Sequence, residues 1–117
     1  QTTYVFEDTG AGRLKRITNR FGKSLTLVWN TTTATATDAS GRVTTIAIDS
    51  TNGRITGVTD SAGRVWGFGY TGLTTNSDLT TLTDPASKVT TLAYTSGLLT
   101  SVTRTRTKAA GGTDSIV

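Results

Sequence analysis

The chain contains no cysteine, no histidine, no methionine and a single proline among its 117 residues. Without cysteine it has no disulfide, no thiolate metal ligand and no thiol nucleophile. Without histidine it has no imidazole ligand and no triad with His as base. The carboxylates left for acid or base chemistry are Glu7 and seven Asp. The absence of Met points to a processed chain or a segment of a longer one. No apolar run approaches the ~20 residues that cross a bilayer, and the N-terminus lacks the basic-then-apolar layout of a signal peptide, so no membrane span is expected.

Hydrophobic residues make up 34% and charged residues 17%, below the usual shares of about 45–50% and about 25%. Threonine takes their place, with 29 copies, alongside 13 Gly. Threonine is stiff at its first torsion and suits a pleated, half-wet surface, so the composition favours strands and argues against a helical fold. The length allows one domain with a small core.

The net charge of +4 sits at the ends: residues 1–23 carry +3, residues 24–103 carry −1 and residues 104–117 carry +2. "RLKRITNRFGK" and "RTRTK" are the basic stretches. No aromatics alternate with their bases as stacking platforms for nucleic acid, so solvated strands and a tail are expected there, and no nucleic-acid partner.

The sequence repeats itself. "ITNRFGKSLTLVW" from Ile17, "ATDASGRVTTIAI" from Ala36, "VTDSAGRVWGFGY" from Val58 and "LTDPASKVTTLAY" from Leu82 align on Asn19, Asp38, Asp60 and Asp84. A fifth start at Val102 has Arg104 at the anchor. Spacings between anchors are 19, 22, 24 and 20 residues, yet each complete copy closes on a large residue ten positions after its anchor: Trp29, Ile48, Tyr70 and Tyr94. A constant interior with variable connections predicts hairpins joined by looser turns.

Asp or Asn first and Gly fourth is the pattern of a type I turn, with the side-chain oxygen bonded to backbone N–H and the Gly at positive φ. Turns are therefore expected near residues 19–22, 38–41, 60–63 and 84–87. Gly22, Gly41 and Gly63 hold the fourth position, and the last copy has Ser87 there with Pro85 in second place. After each turn the chain alternates cleanly, placing Leu25, Leu27 and Trp29, then Thr44, Ile46 and Ile48, then Trp66, Phe68 and Tyr70, then Thr90, Leu92 and Tyr94 on one face. Stacked copies align these residues into an apolar and aromatic stripe.

Gly67 and Gly69, between the aromatics, suggest a close backbone approach or a bend. The outgoing strands "RLKRIT", "RITGVT", "DLTTLT" and "LLTSVT" space apolar residues three apart, at Leu14/Ile17, Ile55/Val58, Leu79/Leu82 and Leu99/Val102. With Thr and Gly between them, this reads as a bulged strand. Second turns are expected at "IDSTNGR", "YTSGL" and the longer "YTGLTTNSDL". The fold expected is all-β, an antiparallel meander of nine or ten strands forming one segment over residues 1–117.

The "GR-x-x-x-V-T-D-x-x-G-R" frame, in "GRITGVTDSAGRVWGFGY" and "GRVTTIAIDSTNGRITGVTD", resembles the YD-repeat or Rhs-repeat family of bacterial cell-surface and toxin-shell proteins, over about residues 4–104. Trp29 and Ile48 stand where the family's Tyr is usual, and Ser87-Lys88 where it has Gly-Arg. The family's self-cleaving Asp segment and C-terminal toxin are absent. The resemblance implies a hairpin strip that curls into a wall, with scaffold or encapsulating work and no chemistry of its own, at a bacterial surface or outside the cell.

"TYVFED" fits a return strand, with Tyr4 and Phe6 in the positions of Leu92 and Tyr94, and "GLLTSVTR" fits an outgoing strand whose partner is missing. Half-hairpins at both ends leave bare sheet edges. Tyr4, Phe6, Leu99 and Val102 are the expected assembly residues, and the expected partner is the chain itself in a head-to-tail polymer, or flanking repeats of a longer chain.

Sharper chemistry finds little support. "DTGAG" at Asp8 matches the aspartic-protease triplet, but polar Glu7 precedes it and the stretch fits a turn before Gly12-Arg13. Glycosidase chemistry and calcium binding are disfavoured because the Asp residues recur as turn formers and no dense acidic loop exists. No cofactor, metal or catalytic residue is expected. Asn30-Thr31-Thr32 is an Asn-x-Thr acceptor for a glycosylating host. The alternative class is a carbohydrate-binding or adhesive strip on Trp29, Trp66, Phe68, Tyr70 and Tyr94, with surface glycans as partners. The toxin-encapsulating wall fragment is a further alternative.

Overall fold

The computed structural model describes residues 1–72, 77–107 and 113–116. Among them the chain is all-β, with eleven strands: β1 (Thr3–Phe6), β2 (Leu14–Thr18), β3 (Ser24–Trp29), β4 (Thr33–Thr37), β5 (Val43–Ile48), β6 (Ile55–Thr59), β7 (Val65–Tyr70), β8 (Leu79–Thr83), β9 (Val89–Thr95), β10 (Leu98–Thr107) and β11 (Thr113–Ile116). Every strand pairs with the next in sequence, so one open antiparallel sheet runs from β1 to β11. The expected turn over "YTGLTTNSDL" includes residues 73–76, which lie outside the described residues.

The four repeat turns are one turn made four times. Asn19 N–H donates to Lys23 O and Gly22 N–H to Asn19 O, and the same two bonds recur from Asp38, Asp60 and Asp84 at 2.9–3.0 Å. Gly22, Gly41 and Gly63 have φ of 76°, 81° and 78°, and Ser87 is driven to 61°. This is a type I turn closed by a left-handed bulge residue, whose twist matches that of the strands. Pro85 therefore does not relieve the fourth position, since Ser87 takes the left-handed conformation that disfavours any Cβ.

Apolar spacing of three produces the bulges. Phe6 faces Leu14 and Tyr4 faces Ile17, with a register shift between, and the same pattern pairs Ile48 with Ile55 and Ile46 with Val58, Tyr70 with Leu79 and Phe68 with Leu82, and Tyr94 with Leu99 and Leu92 with Val102. The residue passed over is Lys15, Thr56, Thr80 or Thr100. Thr80 and Thr100 donate their hydroxyls to Gly69 O and Ala93 O, so the extra residue fastens itself across the ladder.

The strand before Asp38 has no bulge: Trp29 faces Ala34 and Leu27 faces Ala36. Its sequence, Thr-Ala-Thr-Ala-Thr, shows no large apolar residue. Ala34 nevertheless is the single fully buried hydrophobic residue described, at 0% exposure, because it faces Trp29 on one side and Ile46 on the other.

The sheet is a single layer. Its long axis, 50 Å, matches the roughly 48 Å that eleven strands 4.8 Å apart require. The radius of gyration is 17.9 Å, against roughly 13 Å for a compact chain of this length. The expectation of a bare outgoing strand at the C-terminal end needs correction: β11 pairs with β10 over Arg104 to Thr107, because the chain turns back once more. Leu99 and Val102 instead face Tyr94 and Leu92 of β9, so they belong to the stripe as well as lying near an edge.

Candidate functional site

Directly paired residues of an antiparallel sheet share a face, which sorts the sheet into two surfaces. On one, Tyr4–Ile17–Leu25, Leu27–Ala36–Thr44, Ala34–Ile46–Val58–Trp66, Phe68–Leu82–Thr90 and Leu92–Val102 follow one another across ten strands. The expected stripe residues Leu27, Trp29, Ile46, Ile48, Trp66, Phe68, Tyr70, Leu92 and Tyr94 are all half-buried. Among the paired positions the one charged residue on these rows is Arg104, which faces Thr90 at the β10 end.

The opposite surface is built of small residues. One row runs Thr33–Ala47–Gly57–Gly67–Thr83–Val89, and another Val28–Thr35–Thr45–Thr59–Val65. Gly69 faces Thr81 here, and a Cβ at Gly69 would collide with Thr81 Oγ1. The close approach expected at this glycine is thus by a side chain rather than by backbone. Gly67 is roomier, with Thr83 Cβ at 3.7 Å from the place a Cβ would take.

Two rims bound the apolar surface. At the rim of repeat turns, each anchor oxygen accepts two backbone N–H bonds: Asn19 from Phe21 and Lys23, Asp38 from Ser40 and Arg42, Asp60 from Ala62 and Arg64, and Asp84 from Ala86 and Lys88, at 2.8–3.0 Å. Arg42 and Arg64 also donate Nε to Asp38 and Asp60 at 2.7 Å. The arginine after the turn glycine therefore clamps the aspartate four residues back. Arg42's side-chain hydrogen bond leads the causes that lower the Asp38 pKa, whereas backbone donation from Arg64 leads for Asp60. Arg104, which stands at the fifth anchor, reaches Asp84 at 3.5 Å.

At the other rim the Gly-Arg arginines have a different task. Arg13 lies over the Trp29 ring at 5.4 Å and Arg54 over Tyr70 at 5.0 Å, a cation–π geometry. Trp29 Nε1 donates to Leu14 O at 2.8 Å and Tyr70 Oη to Ile55 O at 2.7 Å. The two brackets are the same device, since each ring lies sixteen residues after its arginine. Sequence reading missed it; the signal was Gly-Arg recurring with an aromatic at that spacing. Asp49, also unmarked by the sequence reading, builds a turn one residue longer, accepting from Thr51 N–H and Asn52 Nδ2, and the first of these leads the lowering of its pKa.

The "DTGAG" stretch forms the connection between β1 and β2, closed by Glu7 N–H to Arg13 O at 2.9 Å and by the Arg13–Glu7 ion pair at 3.1 Å. An open cleft of about 640 Å³ beside it is lined by Glu7, Asp8, Arg13, Lys15 and Trp29 among others. Its most prominent polar groups already bind one another. Among the described residues no three His, Cys, Asp or Glu side chains gather as a metal site, and no helix is long and apolar enough to cross a membrane.

β1 is one of the sheet's two edge strands, β11 being the other. Glu7 donates inward to Arg13 O, and successive residues of a strand point their N–H and C=O to opposite sides. Tyr4 and Phe6 therefore present theirs outward, and their rings are 58% and 54% exposed. No family model matches the chain, and no curated protein is significantly similar to it.

Proposed function

We propose that the chain is a non-catalytic structural segment, a strip of β-wall that associates through its sheet edges into an extracellular scaffold, filament or shell. The observation that carries this reading is the open β1 edge, where the outward backbone groups of Tyr4 and Phe6 sit beside exposed rings. An unblunted edge of this kind is a template for another strand.

The construction supports the same reading. Asp38, Asp49, Asp60 and Asp84 are committed to turns, and the repeat adds one hairpin at a time without closing the sheet. Each reversal alternates strand direction, so β1 and β11 run the same way. A head-to-tail junction between copies would accordingly be parallel, whereas flanking hairpins of one chain would continue the antiparallel ladder. Under the YD-repeat resemblance such a wall would stand at a bacterial surface, with a toxin-enclosing shell as one of its forms. The glycan-binding reading has less support: the polar atoms of Trp29 and Tyr70 are already committed to backbone carbonyls.

Negative-stain imaging of the purified chain tests the proposal. Filaments or curved walls are expected, and a uniform field of single particles of monomer size at high concentration would overturn it.

A further inference from the structure

The area of the molecule does not suit a sheet that works alone. Its accessible surface is 8057 Å², against roughly 6,000 Å² for a close-packed chain of 12.2 kDa. About 2,000 Å² is therefore exposed beyond what folding leaves, as expected of a layer whose face has no second layer against it. Of the two faces, the apolar one is the candidate for cover: Trp29, Trp66, Phe68 and Tyr70 lie on it, and the one charged residue among its paired rows, Arg104, sits at the β10 end.

We infer that this face packs against the same face of a second copy, forming a two-sheet sandwich. If each copy loses its excess area, the interface falls in the range of about 2,000–5,000 Å² typical of permanent homodimers. The chemistry of the face suits a partner that brings only hydrocarbon. Trp29 and Tyr70 have their polar atoms bonded within their own chain, so nothing on the partner needs to satisfy them. Arg13, Arg54 and Arg64 lie over Trp29, Tyr70 and Trp66 at 5.4, 5.0 and 5.8 Å, supplying a charged border around an apolar centre, the common anatomy of an interface. A two-fold pairing of identical faces is self-complementary and closed, with the sheets about 10 Å apart. This contact is independent of the edge: the sandwich sets the thickness of the assembly, and edge pairing sets its length.

The experiment is light-scattering mass across a dilution series for the full chain and three variants. Phe68→Lys places a charge at the centre of the face and is expected to weaken the dimer by about 100-fold or more. Val28→Lys, on the small-residue face, and Val5→Lys, on the edge strand β1 with its side chain on that same face, are expected to leave the dimer intact. Trp emission of the unaltered chain should shift to the blue as concentration rises through the dimerisation range, a readout that stands even if Phe68→Lys fails to fold. Persistence of monomer at high concentration, or a dimer lost in Val5→Lys but kept in Phe68→Lys, would overturn the inference. Loss of long assemblies in Val5→Lys with the dimer retained would support it, separating the face contact from the edge contact.

Discussion

The two rims of the sheet solve the same problem, reversing the chain between strands, in opposite ways. At the repeat rim the reversal is done four times with one turn, in which an anchor oxygen takes two backbone N–H groups and the fourth residue goes left-handed. At the other rim the connections differ in length, from the two residues between β9 and β10 to the eight between β7 and β8. Arginine works at both: after the turn glycine Arg42 and Arg64 clamp an aspartate at one rim, Arg64 lying also over Trp66, while Arg13 and Arg54 lie over aromatic rings at the other. The uniform rim holds the hairpins in register, whereas the varied rim fixes the ends of the aromatic rows to backbone carbonyls. Geometry carried by local backbone bonds is repeated, and geometry carried by packing is free to vary.

That contrast can be broken most strongly at the repeat rim. Gly63→Val should destabilise the chain by about 2 kcal/mol, read as a lower denaturant midpoint. Nothing lies within 4 Å of a Cβ there, so the cost is conformational rather than steric. At the varied rim Tyr70→Phe should cost about 1 kcal/mol, because it removes the donor to Ile55 O and leaves the ring in place. Ser87→Gly should stabilise by about 0.5 kcal/mol, the relief at φ 61° being partly offset by a freer unfolded chain.

The smallest effect separates the turns by pH. The folded pKa values of Asp38 and Asp60 lie below the ordinary aspartate value, held down first by the side-chain hydrogen bond from Arg42 and the backbone hydrogen bond from Arg64 respectively. Their contribution is full above the unfolded value and is lost as pH falls through that ordinary value and then through the lower folded value. Asn19 has no proton to gain, so amide exchange measured down to that range should loosen the Asp38 and Asp60 turns before the Asn19 turn. Equal loosening of all three would contradict the clamp.

Much of the fold was legible because it is written in short-range chemistry. Asp60 and Gly63 specify a turn within four residues, and Leu14 with Ile17 specifies a bulge by its odd spacing. Pairings such as Val58 with Trp66 then follow from the turn alone. What was not legible depends on neighbours. Ala34 looks like filler in Thr-Ala-Thr-Ala-Thr, and only the registers of β3 and β5 place Trp29 and Ile46 against it. The role of Arg13 depends on a ring sixteen residues away, and β11 is too short to show a pattern of its own. For the candidate site, the stripe was readable from alternation, but the absence of a covering layer was visible only in the sheet's dimensions.

The central claim, assembly through the open β1 edge, is tested most directly by comparing the length of assemblies formed by the unaltered chain and by Tyr4→Pro. Proline there removes one outward N–H while leaving the inward ladder to β2 its donors. The account predicts long assemblies for the unaltered chain and only short, closed species for Tyr4→Pro. Assemblies of equal length from both would contradict it.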